Sequence, residues 1–258
     1  MSLPKTLIVG NWKMHGTLGE TLRMITELHN KMPETDMEVV VAPPFTALYS
    51  AYVVLQETNI KLAAQNMHWD IEGPYTGEVS GFFLKDVGCS YVLVGHSERR
   101  QFFGETDERV QQKIQAALAQ DLIPIFCVGE TKEQRQSGKT EIILESQLRK
   151  GLQGLPMGDL ENLVIAYEPV WAIGTGVTPT VAEIEKALHF IRDTLAKTYD
   201  APTANAMRLL YGGSISPDNA SAIFKAKHVN GVLVGGASLV VEKFLKIIRA
   251  RDAYDERQ

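Results

Sequence analysis

The chain has 258 residues, of which 45% are hydrophobic and 22% charged, a composition typical of globular proteins. The formal net charge is -5, from 26 Lys+Arg and 31 Asp+Glu, and neither sign forms a long run, so we expect neither a nucleic-acid nor a membrane-surface partner. No apolar run approaches the roughly 18 residues of a membrane span, and the first run is too short for a signal peptide. We therefore expect a cytoplasmic protein.

Metal and nucleophile motifs are missing from the sequence. The two cysteines, Cys89 and Cys127, are too few for a disulfide framework or a cysteine metal site, and we expect both to be small core residues in a reducing compartment. The six histidines form no H-x-H or H-E-x-x-H pair, so we expect no metal. A G-x-S-x-G nucleophile motif is also lacking, which argues against serine-hydrolase chemistry.

Eight short apolar runs recur along the chain and lack strict alternation, as strands of a parallel sheet covered by helices do. In order they are TLIVGNW from Thr6, EVVVAPP from Glu38, IKLAAQN from Ile60, YVLVGH from Tyr91, LIPIFCVGE from Leu122, NLVIAYEP from Asn162, MRLLYGG from Met207 and GVLVGGA from Gly231.

Amphipathic stretches with helical spacing lie between most of these runs. In residues 107–121, Val110, Ile114, Ala117 and Leu118 share one helical face. Two Thr/Ser-Pro pairs, at residues 178–179 and 216–217, each combine an N-cap residue with proline at the first helical position, so we expect helices to begin there.

Alternating strands and helices with eight strands fit either a (β/α)₈ barrel or a two-domain Rossmann-type chain. The dinucleotide fingerprint G-x-G-x-x-G is missing after the first strand, where the sequence reads GNWKMHG. No linker divides the chain. We therefore predict an α/β fold in which residues 1–258 form a single-domain (β/α)₈ barrel of eight parallel strands within an outer ring of helices.

The segment 65–81, QNMHWDIEGPYTGEVSG, has no clear periodicity. Long loops without secondary structure inside compact domains are usually functional or disordered, and its aromatic residues argue against disorder. Two alternatives remain open from the residues alone: the loop packs against another subunit, or it packs on its own surface.

Polar residues stand at the predicted strand ends, where parallel barrels carry their chemistry. They are Asn11 and Lys13 after the first strand, His96 after the fourth, Glu130 after the fifth and Glu168 after the sixth. Read singly, Lys13 fits a surface charge and His96 a buried core histidine. However, SERR after His96 indicates a helix start, whose amides would oppose protonation of the imidazole.

Glycine pairs end the last two strands: Gly212-Gly213 precedes Ser214, and Gly235-Gly236 follows the eighth strand. Such pairs are usually simple turns. At the last two strands of a barrel, however, backbone N–H groups often bind phosphate, and glycine allows its close approach.

The segment LVIAYEPVWAIGTG places one carboxylate among apolar residues. Pro169 holds Glu168 in an extended conformation and ends the strand, so we expect the carboxylate at the barrel mouth. Residues 169–176 form an apolar loop that would be costly to expose unless it closes over something, and Gly174 and Gly176 allow it to bend. Trp171 packing on the barrel rim is the structural alternative.

Six segments together resemble the triosephosphate isomerase family, in that family's order and across residues 6 to about 250. They are NWKM at residues 11–14, AQN at 64–66, GHSERR at 95–100, AYEPVWAIGTG at 166–176, YGGS at 211–214 and LVGGASL at 233–239. The resemblance implies the interconversion of dihydroxyacetone phosphate and D-glyceraldehyde 3-phosphate in glycolysis and gluconeogenesis, without a metal or organic cofactor.

The resemblance also implies a role for each matching residue. Glu168 is the base that moves a proton between carbons, His96 the neutral electrophile, and Lys13 and Asn11 stabilise the enediolate. The implied phosphate site comprises backbone groups around Gly174, Ser214, Gly235 and Gly236. By the same resemblance, residues 65–81 are the intersubunit loop of a homodimer, with Thr76 reaching the partner's active site.

Two departures from the family pattern concern the movement of the lid, which is the loop of residues 169–176, and not the reaction. His15 follows NWKM where the family usually has asparagine, and Val177-Thr178-Pro179 replaces a lysine followed by a short Thr/Val-Ala hinge. Because proline restricts the backbone, we hypothesise that Pro179 changes the rate at which the lid opens.

Two rival functions remain. A Schiff-base aldolase needs a desolvated lysine near the end of an inner strand, and since Lys61 stands at the start of its strand only Lys13 qualifies. A catalytically inactive barrel kept for binding is the other rival, against which the joint presence of Asn11, Lys13, His96 and Glu168 argues.

Overall fold

Eight parallel strands close into a barrel in the computed structural model, which describes residues 4–255 and the side chains of residues 4–251. The strands are β1 (Leu7–Asn11), β2 (Glu38–Ala42), β3 (Ile60–Ala64), β4 (Tyr91–Val94), β5 (Ile123–Val128), β6 (Val164–Tyr167), β7 (Arg208–Tyr211) and β8 (Gly231–Val234). Each predicted apolar run contains one strand, and the predicted (β/α)₈ barrel is confirmed.

The helices lie outside this sheet. They are α1 (Leu18–Lys31), α2 (Leu48–Leu55), α3 (Gly81–Asp86), α4 (Ser97–Phe102), α5 (Asp107–Ala119), α6 (Lys132–Gln136), α7 (Thr140–Gly151), α8 (Val181–Thr198), α9 (Ala201–Ala206), α10 (Ala220–Lys225) and α11 (Val241–Asp255). Short 3₁₀ helices span Phe45–Ala47, Met157–Asn162, Val170–Ala172 and Gly236–Leu239. Among the described residues, no helix is both long and apolar enough to cross a membrane.

Strand neighbours follow chain order, and β8 closes on β1 with Leu7 opposite Gly231. Alternate strand side chains form two separate apolar clusters. One fills the barrel interior and includes Leu7, Val40, Leu93 and Cys127. The other lies between the sheet and the helices and includes Ile8 and Cys89. Both cysteines are therefore buried and free, as predicted from composition.

Helix α5 shows how the sequence pattern yields this packing. Val110, Ile114 and Ala117 are fully buried on its inner face, and Leu118 is partly buried against the same cluster. Burying a large aliphatic side chain contributes about 1.5–3 kcal/mol, so this stripe fixes the helix on the barrel. Thr106 caps the helix by accepting a hydrogen bond from the Arg109 amide.

Both predicted Thr/Ser-Pro helix starts are wrong. Helix α8 begins at Val181, and its N-cap is Thr180, which forms a capping box with Glu183. Helix α10 begins at Ala220 after Asn219, since residues 217–219 form a turn instead. The Asn219 side chain accepts a hydrogen bond from the Ser216 amide and thereby stabilises that turn.

Residues 65–81 leave the carboxyl end of β3 and contain no helix or full strand before Gly81. A single bridge pairs His68 with Ser80 at the base of the loop. The His68 ring lies 4.2 Å, centroid to centroid, from the rings of both Trp69 and Tyr75. The loop is thus ordered by its own aromatic residues, while Thr76 at its tip is exposed.

Candidate active site

A cavity of about 260 Å³ opens at the carboxyl ends of the strands. The eight residues that the sequence predicted as site residues all line it: Asn11, Lys13, His96, Glu168, Gly174, Ser214, Gly235 and Gly236. Ile173, from the apolar loop 169–176, also lines the cavity, together with Ile215 and Leu233, which the sequence reasoning did not identify.

Glu168 follows directly after β6 and is only 2% exposed. Its amide still donates to Val128 O at 2.8 Å, so the backbone remains in register with β5. Oε2 accepts a hydrogen bond from the Ser97 amide at 2.9 Å. A Cβ at Gly212 would lie 3.0 Å from Glu168 Cγ, so the glycine leaves space for this side chain. The carboxylate lines the mouth cavity, as predicted, but it is buried there.

His96 is the N-cap residue of α4, and its side chain follows from that position. Nδ1 accepts the Glu98 amide at 3.3 Å, so in the neutral ring Nε2 carries the proton. Nε2 lies 3.0 Å from Glu168 Oε1 and 3.3 Å from Asn11 Nδ2. The helix start predicted from SERR thus sets the orientation of the imidazole.

Burial and charge shift the pKa values of Glu168 and His96 in opposite directions. Burial raises the pKa of Glu168, but the charge and hydrogen bond of His96, with the Ser97 amide, outweigh it and lower the pKa below its ordinary value. Burial lowers the pKa of His96, whereas the Glu168 carboxylate raises it by more. The Glu98 amide, which already donates to Nδ1, opposes a second proton on the ring but does not outweigh the Glu168 carboxylate; that influence of Glu168 on the pKa of His96 is lost once the carboxylate takes up a proton.

Lys13 is held in an unusual backbone conformation at the mouth. Its φ is 51°, in the left-handed region, and its amide donates to Asn11 Oδ1 at 3.0 Å. The Gln65 side chain donates to the Lys13 carbonyl at 2.8 Å. Lys13 Nζ forms an ion pair with Glu98 Oε1 at 2.7 Å. Sequence reasoning missed this ion pair, which holds the ammonium group of a cavity-lining residue.

Backbone groups dominate the side of the cavity at β7 and β8. A Cβ at Gly236 would meet nothing within 4 Å, so this position faces open space. The Gly235 carbonyl accepts the Ser238 amide at 2.8 Å, and the Ser214 carbonyl accepts the Asn219 side chain at 3.1 Å. These contacts fix the two loops that line this part of the cavity.

The lid loop begins with the 3₁₀ turn Val170–Ala172, and residues 174–178 are exposed. Gly174 and Gly176 adopt φ values of 71° and 76°, which residues with a side chain rarely adopt. Ile173 lines the cavity. The loop therefore has an anchored first turn and an exposed tip next to the site.

Glu130 is fully buried at the end of β5 and receives several hydrogen bonds. Trp171 Nε1 donates to Oε1 at 2.9 Å, and the Tyr167 hydroxyl donates to both oxygens at 3.2 Å. Arg135 lies 3.6 Å away as a counter-charge. The sequence placed Glu130 at a strand end without a role, and the structure shows that it connects the lid to β5.

The arrangement combines a carboxylate, a neutral donor and a cation around one small cavity. A carboxylate can take a proton from carbon beside a carbonyl, while the imidazole and ammonium stabilise the oxyanion that forms. Among residues 4–251, whose side chains the structure describes, no group of three or more His, Cys, Asp and Glu is placed to hold a metal ion. The fold and this cavity define a TIM-barrel enzyme with acid–base chemistry at the strand ends.

Comparison with known proteins identifies the family. Residues 6–251 match the family model described as triosephosphate isomerase. The chain is 47% identical over 244 residues to "Triosephosphate isomerase" of Thermoanaerobacter sp. (strain X514), covering 95% of this chain and 98% of that protein. The protein of the same name from Geotalea uraniireducens (strain Rf4) is 48% identical over 246 residues, with the same coverage. The chain belongs to the triosephosphate isomerase family and is an isomerase.

Proposed function

We propose that this cavity interconverts dihydroxyacetone phosphate and D-glyceraldehyde 3-phosphate, the reaction that serves glycolysis and gluconeogenesis. Glu168 takes a proton from one carbon next to the carbonyl and returns it to the neighbouring carbon. His96 donates to the substrate oxygens as a neutral imidazole, and Lys13 and Asn11 stabilise the enediolate. The 3.0 Å approach of Glu168 Oε1 to His96 Nε2 within one cavity carries the proposal.

The proposed phosphate site comprises the backbone around Gly174, Ser214, Gly235 and Gly236. Its support is that these four positions line the same cavity as Glu168 and His96. Closure of residues 169–176 would exclude water, strengthen the electrostatic stabilisation and limit loss of phosphate from the enediolate. No metal or organic cofactor is assigned a step.

A coupled isomerisation assay tests the function. The wild-type protein should be active, and Glu168→Ala should lose about 10²–10⁴-fold in kcat, the usual contribution of a positioned general base. A loss smaller than about tenfold would contradict the role of Glu168. Borohydride with a triose phosphate should leave Lys13 unlabelled; labelling would favour the aldolase. A folded but inactive wild-type protein would favour the other rival, a catalytically inactive barrel kept for binding.

We also propose that the protein is a cytoplasmic homodimer in which residues 1–258 form one domain. Large apolar side chains are exposed in segments that follow β1 to β4, on one half of the barrel mouth; they include Met14, Tyr49, Ile71, Phe82 and Phe102. Contact with a second copy through residues 65–81 would cover this half, with Thr76 directed toward the partner's active site.

A further inference from the structure

The backbone after β5 directly contacts the backbone of the proposed base. A Cβ at Gly129 would lie 1.7 Å from the Glu168 carbonyl oxygen, so no other residue fits this position. Two ladder hydrogen bonds flank the contact, from the Glu168 amide to Val128 O at 2.8 Å and from the Val170 amide to Glu130 O at 3.1 Å. A displacement of the Gly129 peptide is therefore transmitted to Glu168 and to the first lid residue.

One side chain holds both polar groups of Gly129. The Gly129 amide donates to Gln147 Oε1 at 2.8 Å, and Gln147 Nε2 donates to the Gly129 carbonyl at 3.2 Å. Gln147 is 9% exposed, and loss of its amide would remove these two protein partners from the Gly129 N–H and C=O groups. A side-chain amide offers a neutral donor and acceptor together at this length without needing a proton from solvent.

The helix that carries Gln147 is itself firmly packed. Leu144 and Leu148, on the same face of α7, are buried in the outer apolar cluster. A Cβ at Gly151 would lie 2.4 Å from the Phe126 ring, so the end of the helix lies directly against β5. A rigid helix thus places the amide, which is the support that a precisely oriented reactive group needs.

We propose that Gln147 is a positioning residue for the isomerase reaction: its amide fixes the Gly129 peptide and, through it, the backbone of Glu168 and the start of the lid. The inference rests on the proposed role of Glu168 as base. Gln147 does not touch the cavity that the substrate would occupy, so it acts on orientation and not on binding.

The principal variant is Gln147→Met, which keeps the length of the side chain and removes both hydrogen bonds. We expect kcat to fall about tenfold, because a shift of 1 Å in reacting groups costs roughly 10²-fold and this shift is smaller. KM and the competitive inhibition constant of inorganic phosphate should change by less than about twofold, since the β7 and β8 loops are untouched. Gln111→Met is the matched control, because Gln111 donates only to Gln153 O at the surface.

A second variant, Gln147→Glu, distinguishes positioning from general destabilisation. A protonated carboxyl can donate and accept as the amide does, whereas a buried carboxylate cannot donate. The wild-type to variant ratio of kcat should therefore decrease as pH is lowered from about 8 to about 5, with both proteins folded. This variant also decides the proposal if Gln147→Met does not fold.

Two results would overturn the proposal: a folded Gln147→Met with kcat within about twofold of the Gln111→Met control, or a Gln147→Glu ratio that does not respond to pH. Glu168→Ala, assayed alongside, separates this failure from that of the proposed function. If Glu168→Ala retains activity within about tenfold, the proposed base is wrong. If it is inactive while Gln147→Met is fully active, only the positioning role is wrong.

Discussion

The indole of Trp171 donates a hydrogen bond to the Glu130 carboxylate at 2.9 Å, which ties the first turn of the lid to the end of β5. The Arg135 guanidinium lies 4.0 Å above the centroid of the same indole ring. The indole is thereby held by a carboxylate at its edge and a cation on its face, both from the segment that follows β5.

Replacing Glu130 by leucine should loosen this anchor. We expect Glu130→Leu to lower kcat and to raise the amount of inorganic phosphate released per isomerisation, each by about tenfold, because a poorly closed lid admits water to the enediolate. Glu130→Gln keeps an acceptor for the indole and should be milder. Phosphate release measured during turnover checks this prediction. If Glu130→Leu releases the same amount of phosphate per isomerisation as the wild type, the prediction is contradicted.

Residues 177–179, the hinge that follows the lid, allow the effect of Pro179 to be tested. Pro179 is buried and directly precedes Thr180, the N-cap of α8, whereas Val177 is 51% exposed. Replacing residues 177–179 by the family's usual Lys-Thr-Ala should speed lid opening by about twofold or more, because the proline restricts the backbone there. Viscosity-dependent turnover measures product release; unchanged turnover and release would refute the hypothesis.

Disrupting the tip of residues 65–81 should separate the proposed dimer. We expect Thr76→Arg, at an exposed position, to give a monomer with at least about tenfold lower activity, since the apolar half of the barrel mouth loses its cover. Light scattering and the coupled assay measure the two effects. Ser221→Arg, at an exposed position of α10, is the control, and a dimeric, active Thr76→Arg would disprove this interface.

His228 should make the protein sensitive to mild acid. Burial lowers its pKa from the ordinary 6.5, and the charges of Arg192 and His189 lower it further, against Asp193 and Glu185. Because the folded pKa lies below the unfolded one, stability is lost as pH falls from about 6.5 toward the folded pKa.

His228→Asn should reduce this loss, and asparagine tolerates the φ of 68° found there. Thermal unfolding between about pH 7 and pH 5 measures the effect, with the exposed His29→Asn as control. An equal acid sensitivity in wild type and His228→Asn would rule out this residue as its source.

Arg192 is a buried cation whose hydrogen bonds go to neutral acceptors. The guanidinium donates to the Ala204 and Met207 carbonyls and to Asn230 Oδ1, the last at 2.9 Å. Burial lowers the pKa of Arg192 to about 10. Asn230→Asp should supply the missing charge and raise the free energy of unfolding by about 1–3 kcal/mol, and the Leu209 amide would keep its acceptor.

Denaturant unfolding of Asn230→Asp, compared with the exposed control Asn59→Asp, checks this prediction. The comparison removes the effect of adding one negative charge to the protein. A stability equal to or below that of the control would show that the neutral acceptors already satisfy the guanidinium.

The barrel was predictable because each strand is a compact, mostly apolar run, and most of these runs end in polar residues, glycine or proline. The eight predicted site residues lie together because parallel strands bring their carboxyl ends to one edge. The predicted start of α8 was wrong because the Thr-Pro pair was preferred to a stronger signal. Threonine at 180 and glutamate at 183 form a capping box, and this pattern is visible in the sequence.

Other features depend on side chains far apart in the chain. Glu98 and Lys13 form a hydrogen bond although they are 85 residues apart in the sequence, and Trp171 and Glu130 do so although they are 41 residues apart. No local periodicity predicts such pairs, since each depends on how the loops that follow two different strands approach one another at the barrel mouth. The same holds for Gln147. In the sequence it is an ordinary polar residue of α7, and only the fold shows that its side chain contacts Gly129.

The lid is already shaped before it closes, and this affects the entropy of catalysis. Thr175 Oγ1 donates to the Trp171 carbonyl at 3.2 Å and accepts the Val177 amide at 3.3 Å, so the exposed tip has an internal structure. Ordering five free residues would cost roughly 5–10 kcal/mol in backbone entropy. If residues 169–176 close over the cavity as proposed, a preformed tip between two anchored ends would move as one unit, and most of that entropy cost would be met during folding and not in each turnover.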